Sequence, residues 1–213
     1  MTRDIGKFVY RIIPIENLAF DLEFGLFSKN NAPDNPVRSI IGNTEIINER
    51  DNRSVKCYPG TVVNDYVPFY FSVRTPMLYN IVTGMGVPER KQEDIVYLCI
   101  LLNNIMCDGY QWCFTDGNAA KTITSFFNKI ADLKKIDWRS IQSTDFRNDN
   151  ADGDVDRIRK KHAEFLVIDF VPGNLIEEIV VFNEKTKISV EKIVKNLNLE
   201  KEIKVIVNKE YYF

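Results

Sequence analysis

The stretch KKHAEFLVIDF, residues 160–170, is apolar for most of its length yet carries a glutamate, Glu164, near its entrance. A carboxylate is costly to bury unless it is paired. One that lines a cleft is only partly desolvated, and the cost is then tolerable. Taken alone, a surface glutamate at a strand entrance explains the residue just as simply. The basic run before it, RIRKKH (157–162), reads alone as a solvated edge, with a local nucleic-acid patch as the alternative. Other chemical patterns break down. TGMGVPE offers Gly84 and Gly86 as a dinucleotide loop, but Glu89 replaces the third glycine and a predicted helix, not a strand, precedes it. NDNADGDV puts Gly153 in the sixth place of a calcium loop, but Asn148 opens it and Arg159 stands where a bidentate glutamate is needed. Phosphate-loop and nucleophile-elbow motifs are missing. With one histidine and four cysteines, none in C-x-x-C spacing, no metal site is expected. Cys57, Cys99, Cys107 and Cys113 read as reduced thiols, mostly buried.

The elements that must position Glu164 are legible from periodicity. The chain has 213 residues, 45% hydrophobic and 27% charged, with no glycine- or proline-rich divide, so a single domain over residues 1–213 is expected. A strand and a short helix with Leu18 and Leu22 open it, and Gly25 can close the helix. Residues 29–42, punctuated by Pro33 and Pro36, read as a long loop that could cover a ligand. A short helix around Ile46–Arg50, a turn at YPG, the aromatic strand VPFYFSV and a helix from about Pro76 follow. DIVYLCILL and QWCF are strands. AAKTITSFFNKI (119–130) spaces Ile123, Phe126, Phe127 and Ile130 as one apolar helical face packed on a sheet. After Glu164 come the strand IEEIVVF, a helix with Val190, Ile193, Val194 and Leu197 on one face, and the strand EIKVIVN. Without regular βαβ alternation the expected class is α+β. The net charge of −2 argues against broad electrostatic coating of nucleic acid, so any such contact must be local. No run approaches the length of a membrane span and the amino end does not read as a signal peptide, which points to a cytoplasmic protein.

Four stretches read together, YRIIPIENL (10–18), IGNTEIINER (41–50), DYVPFYFSVRTPMLY (65–79) and KKHAEFLV (160–167), resemble the DarT family of toxin enzymes, which transfer ADP-ribose from NAD to a base in single-stranded DNA. The resemblance runs over nearly the whole chain. It implies an ADP-ribosyltransferase-like split, mixed β-sheet core with flanking helices and a cleft for NAD as co-substrate. Glu164 then matches the family's catalytic glutamate. Breaking the nicotinamide glycosidic bond develops oxocarbenium character, which a fixed carboxylate stabilises. Arg50 matches the active-centre arginine when residues are counted without gaps from Ile41–Gly42 to Asp65–Tyr66. A competing register puts Asp51 there and leaves Arg53 as the nearest substitute. A guanidinium stays protonated, so charge stabilisation suits Arg50 better than literal base chemistry.

The resemblance also places Arg11, Ile12, Ile13, Phe20, Ser28, Arg50 and Tyr70 against NAD, with residues 34–52 folding over it. Met77, Asn118, Arg147, Arg157, Arg159, Lys160 and Lys161 are implied on the DNA side, where cations hold phosphates and planar groups stack an unpaired base. A single strand is expected because a duplex hides the reacting base edge. Two positions depart from the family: many members have histidine where Arg11 and Asn118 stand. Thymine is the favoured acceptor; guanine, protein or RNA stay open, as does a nonenzymatic DNA-binding remnant. A macrodomain-type antitoxin is the partner that the resemblance implies.

Overall fold

A computed structural model describes residues 8–34, 38–107, 109–145, 153–199 and 202–213. In chain order, β1 (Phe8–Pro14) leads through a 3-10 turn into α1 (Leu18–Phe24) and the two-residue β2 (Leu26–Phe27). Then come α2 (Thr44–Asp51), β3 (Tyr66–Tyr70), α3 (Pro76–Thr83), β4 (Ile95–Leu101), α4 (Leu102–Cys107), β5 (Trp112–Thr115) and β6 (Phe126–Phe127). The chain closes with α5 (Trp138–Gln142), α6 (Arg157–Lys161), β7 (Glu164–Ile168), β8 (Phe170–Val171), β9 (Ile176–Val181), α7 (Glu184–Asn196) and β10 (Lys204–Val207).

Eight strands form one sheet in the order β10-β9-β4-β1-β3-β7-β5-β6, and β2 pairs with β8 in a second small one. All pairs in the large sheet are antiparallel except β10 with β9, so the sheet is mixed. It is also split. β1 follows β4 through seven register pairs, Phe8↔Leu101 to Pro14↔Ile95, but meets β3 only at Tyr10↔Tyr70. Pro68 in β3 has no N–H to offer a ladder, and its carbonyl accepts from Arg11 Nη1 at 2.9 Å, so a side chain fills the place of backbone pairing. The expected split mixed sheet is thus present, and the split opens where β1, β3 and β7 come together.

Local sequence explains most elements. β4, IVYLCIL, is buried along nearly its whole length, as a continuous apolar run between two covered faces must be. The Asn43 side chain caps α2 by accepting from the Glu45 and Ile46 N–H groups. Thr75 caps α3 ahead of Pro76, and Gly84 ends it at φ 69°. Gly25 closes α1 at φ 89°, where a Cβ would lie 2.4 Å from the Phe170 ring, so α1 can lie against β8 only with glycine there. Val190 and Val194 of α7 are buried. Among the described residues no helix is long and apolar enough to cross a membrane. All four thiols are free; Cys99 and Cys113 are buried, Cys57 is half-buried and Cys107 exposed.

The helix expected over 119–130 does not form. Phe126 and Phe127 pair instead with Thr115 and Phe114 as β6, while Ile123 and Ile130 are exposed. Thr124 Oγ1 donates to the Asn118 carbonyl at 2.7 Å and Asn118 Oδ1 accepts from the Ala120 N–H at 2.9 Å. Side chains that bond nearby backbone offer the chain an alternative to the helical ladder, and the apolar spacing matched a helix by coincidence.

Candidate active site

At the split lies a cavity of about 450 Å³, within the range of small-molecule sites. Glu164 enters it from the first position of β7 and is buried. Its Oε2 accepts from Arg50 Nη2 at 2.9 Å and its Oε1 from the Ala119 N–H at 3.0 Å. Its own N–H donates to Thr115 Oγ1 at 3.0 Å. Both carboxylate oxygens are therefore aimed by donors from two other parts of the chain, and the burial suggested by the apolar run is offset by a counter-charge.

Arg50 reaches Glu164 because α2 is anchored on its other side. Asn64 Nδ2 donates to the Ile47 carbonyl at 2.7 Å and to Asp51 Oδ1 at 2.6 Å, and Lys29 pairs with Asp51. Asp51 thus faces away from Glu164. Arg53 turns elsewhere too: it donates to the carbonyls of Ala119, Thr122 and Thr124 at 3.0 to 3.3 Å. Of the two registers weighed in the sequence, the geometry brings Arg50 to the glutamate and gives Arg53 the task of pinning the turn that supplies the Ala119 N–H. Gly117 in that turn is crowded by Arg159: a Cβ would lie 2.3 Å from Arg159 Nη1.

Arg11, Ile12, Ile13, Tyr70, Met77 and Asn118 also line the cavity. Burial, reinforced by Glu164, pushes the Tyr70 phenol well above its ordinary value, so it stays neutral, and its hydroxyl contacts Met77 Sδ at 3.1 Å. Burial lowers Arg11 to about 10, which leaves it charged at neutral pH. Residues 38–43 line the cavity as well, tied down by Asn17, which donates to the Ser39 carbonyl and accepts from its N–H, both at 2.9 Å. Asn17, Asp21, Arg38, Ser39, Asn64 and His162 are cavity residues that the sequence reading did not single out. For Asp21 a signal was available: Leu18, Asp21 and Leu22 share the buried face of α1, so a carboxylate sits where periodicity calls for a hydrophobe.

Other expectations need correction. Phe20 does not line the cavity. It falls on another face of α1 and packs with Phe24 and Phe27, ring centroids 5.0 and 6.3 Å away. Ser28 does not line it either, because its buried Oγ accepts from Asn31 in the following turn. The cations expected to hold phosphate form α6 and are engaged inside the protein. Arg157 pairs with Asp145 and Asp154; Arg159 with Asp156 and Asp116; Lys160 with Asp137 and Asp154. Lys161 is buried, donates to the carbonyls of Ile141 and Ser143, and is pushed by burial down to about 8. Acidic residues that precede them in the chain neutralise Arg157, Arg159 and Lys160, and Lys161 is turned inward onto backbone carbonyls, so their geometry gives the phosphate role no support. Arg147 lies outside the described residues.

His162, two residues before Glu164, is the sole histidine. Burial lowers its proton affinity, against the Ile158 carbonyl, 2.8 Å from Nδ1, and nearby Glu164, which raise it. Its single imidazole signal in a proton NMR titration is expected to move with a midpoint below 6.5. As pH falls through about 6.5 the unfolded chain takes up the proton first, so His162 subtracts stability on acidification. A midpoint at or above 6.5 contradicts the burial argument.

Comparison with known proteins gives a consistent set of likenesses. The family described as ssDNA thymidine ADP-ribosyltransferase, DarT, matches residues 10–213. A protein of Thermus sp. (strain 2.9) named DNA ADP-ribosyl transferase is 34% identical over 207 residues, 96% of this chain and 95% of the relative. The structure of Thermus sp. 2.9 DarT in complex with ADP-ribosylated ssDNA superposes with a TM-score of 0.88 at 32% identity, covering 100% of this chain and 99% of that one. The same protein in complex with NAD+ gives a TM-score of 0.83 at 32% identity, with 100% of both chains covered.

Proposed function

This chain belongs to the DarT family, the ssDNA thymidine ADP-ribosyltransferases, and from that premise we propose that it transfers ADP-ribose from NAD to a base of single-stranded DNA and releases nicotinamide. The observation that carries the reading is the 2.9 Å contact between Arg50 and Glu164, which lie 114 positions apart in the chain and converge on one wall of the cavity. Thymine is the acceptor favoured, in keeping with the family's description.

In this reading Glu164 holds a hydroxyl of the nicotinamide ribose and stabilises positive charge at its anomeric carbon. The bond to nicotinamide breaks with its electron pair, the ring nitrogen loses its positive charge, and a nitrogen of the DNA base attacks the sugar and gives up its proton to the solvent. Arg50 holds the Glu164 carboxylate in place and leaves guanidinium N–H groups for the pyrophosphate or the acceptor base. Tyr70 and Met77 bound the cavity where nicotinamide and the base must meet. Arg11, with Ile12 and Ile13, supplies the β1 side of the NAD cleft. Asn118 takes part through its turn, which delivers the Ala119 N–H. A macrodomain-type antitoxin as partner, and the cytoplasm as the place of action, belong to the same proposal: the family resemblance supports the first and the DNA substrate the second.

The test is incubation of the purified protein with labelled NAD and, separately, single-stranded DNA, the same sequence as duplex, RNA, and a protein mixture. Label is expected in single-stranded DNA alone, and mass spectrometry of a modified oligonucleotide is expected to show one ADP-ribose on a thymine. Label confined to protein rejects the assignment. Label on guanine changes the acceptor but keeps the reaction.

A further inference from the structure

On the cavity wall two buried polar atoms have no hydrogen-bond partner among the described residues: Arg11 Nε on β1 and Asp21 Oδ1 on α1. Asp21 is only 2% exposed. Its helical neighbours on the same face, Leu18 and Leu22, are the residues that such a face ordinarily holds. An unsatisfied buried carboxylate oxygen weakens the fold, and burial raises the Asp21 proton affinity while Arg11 and Arg38 lower it. Two orphaned atoms of opposite polarity on one cavity wall break the local rule together, which points to a ligand that completes both.

The required ligand group must donate to a carboxylate oxygen and, beside that, accept from a guanidinium N–H. Vicinal hydroxyls do this, each being donor and acceptor, and a carboxylate is a recurrent partner of ribose hydroxyls in dinucleotide sites. NAD carries two riboses. β3 lies between β1, which carries Arg11, and β7, which carries Glu164, while Asp21 lies on α1, which follows β1 in the chain. A strand thus separates the Arg11 side of the cavity from Glu164, and the ribose that reacts beside Glu164 is not the one Asp21 meets.

Resting on the NAD reading above, we propose that Asp21 and Arg11 form a subsite for the 2′,3′-diol of the adenosine ribose, one hydroxyl donating to Asp21 Oδ1 and its neighbour accepting from Arg11 Nε–H. The Asp21 carboxylate is thus a specificity residue for the cofactor's adenosine half, placed on α1 where the apolar pattern calls for leucine.

Calorimetric binding without DNA tests this with four ligands: NAD, its 2′-deoxy and 3′-deoxy adenosine analogues, and the hypoxanthine analogue that lacks the adenine amino group. Each is measured on wild type, Asp21→Asn and Asp21→Leu. For wild type, loss of the relevant hydroxyl is expected to weaken binding roughly 10- to 100-fold, the range of a hydrogen bond to a charged group. Asp21→Leu is expected to lose NAD affinity by a similar factor, to lose little more with the deoxy analogue, and to melt no lower than wild type. A merely structural carboxylate predicts lower melting and unchanged affinity, which overturns the proposal. Additive losses from Asp21→Leu and hydroxyl removal overturn it as well. Coupling of Asp21 to the hypoxanthine substitution reassigns the contact to adenine and rejects the diol. If Asp21→Leu does not fold, the wild-type and Asp21→Asn arms still decide. Wild type that binds no NAD strikes down the transferase reading together with the subsite, whereas NAD binding indifferent to Asp21 strikes the subsite alone.

Discussion

Glu164→Gln is expected to lower single-turnover ADP-ribose transfer to an oligonucleotide by about three orders of magnitude, with the protein still folded and still binding NAD. The substitution preserves shape but not polarity. Both carboxylate oxygens accept hydrogen bonds, one from Arg50 Nη2 and one from the Ala119 N–H. An amide has a single oxygen, so its NH2 must face one of those donors. The variant therefore loses the negative charge and also sets donor against donor on one side, with a penalty of about 1–3 kcal/mol typical of an unsatisfied buried group. In the proposed reaction that charge acts on the cationic sugar of the transition state more than on bound NAD, so the rate falls far more than the affinity. Retention of more than a tenth of the wild-type rate removes Glu164 from the chemistry. The parallel observation in cells is growth: if the protein harms a bacterial host on expression, Glu164→Ala is expected to relieve it.

The second large effect is expected at Arg50, where two substitutions separate charge from geometry. Arg50→Ala leaves Glu164 buried beside the Ala119 N–H with no counter-charge. Breaking a buried pair costs about 3–5 kcal/mol, and an open cavity wall allows partial relaxation, so about 2 kcal/mol is expected here. For a chain of this size that corresponds to a melting temperature lower by roughly 4–8 °C. Transfer activity is expected to fall about 10²- to 10³-fold. Arg50→Lys keeps a positive charge but not the planar fork, and an ammonium that bonds Oε2 has no fixed second N–H to aim at NAD or the base. Its melting temperature is expected near that of wild type, with activity still down about a hundredfold. Wild-type activity in the lysine variant reduces Arg50 to a counter-ion. Arg50→Ala melting like wild type shows instead that the pair adds nothing to the fold.

Most of the framework was readable along the chain because it rests on short-range rules. β4 announces itself by an unbroken apolar run, α3 by its start near Pro76, and α7 by the spacing of Val190 and Val194. The short helix carrying Arg50 and the strand led by Glu164 were also expected in the right places. The same periodic reasoning misled over residues 119–130, where side-chain bonds from Asn118 and Thr124 and the strand pairing of Phe126 and Phe127 outweigh a helical pattern of four residues. On α1 it was the family resemblance, not periodicity, that placed Phe20 at NAD, whereas Asp21 is the α1 residue that lines the cavity.

The sequence by itself determined the kind and approximate place of the longer elements, the α+β class, and through four quoted motifs the family and the glutamate at the entrance of β7. Only the tertiary structure decided that Arg50 and not Arg53 meets Glu164, that the α6 cations are matched by acidic neighbours, and that Arg11 and Asp21 look into one cavity. The physical reason is the range of the forces. Helix caps and apolar stripes act between residues a few positions apart and leave a trace in local spacing. Ion pairs and hydrogen bonds act over a few ångströms of space whatever the distance along the chain, so which charges are matched is settled only when the split sheet closes around them.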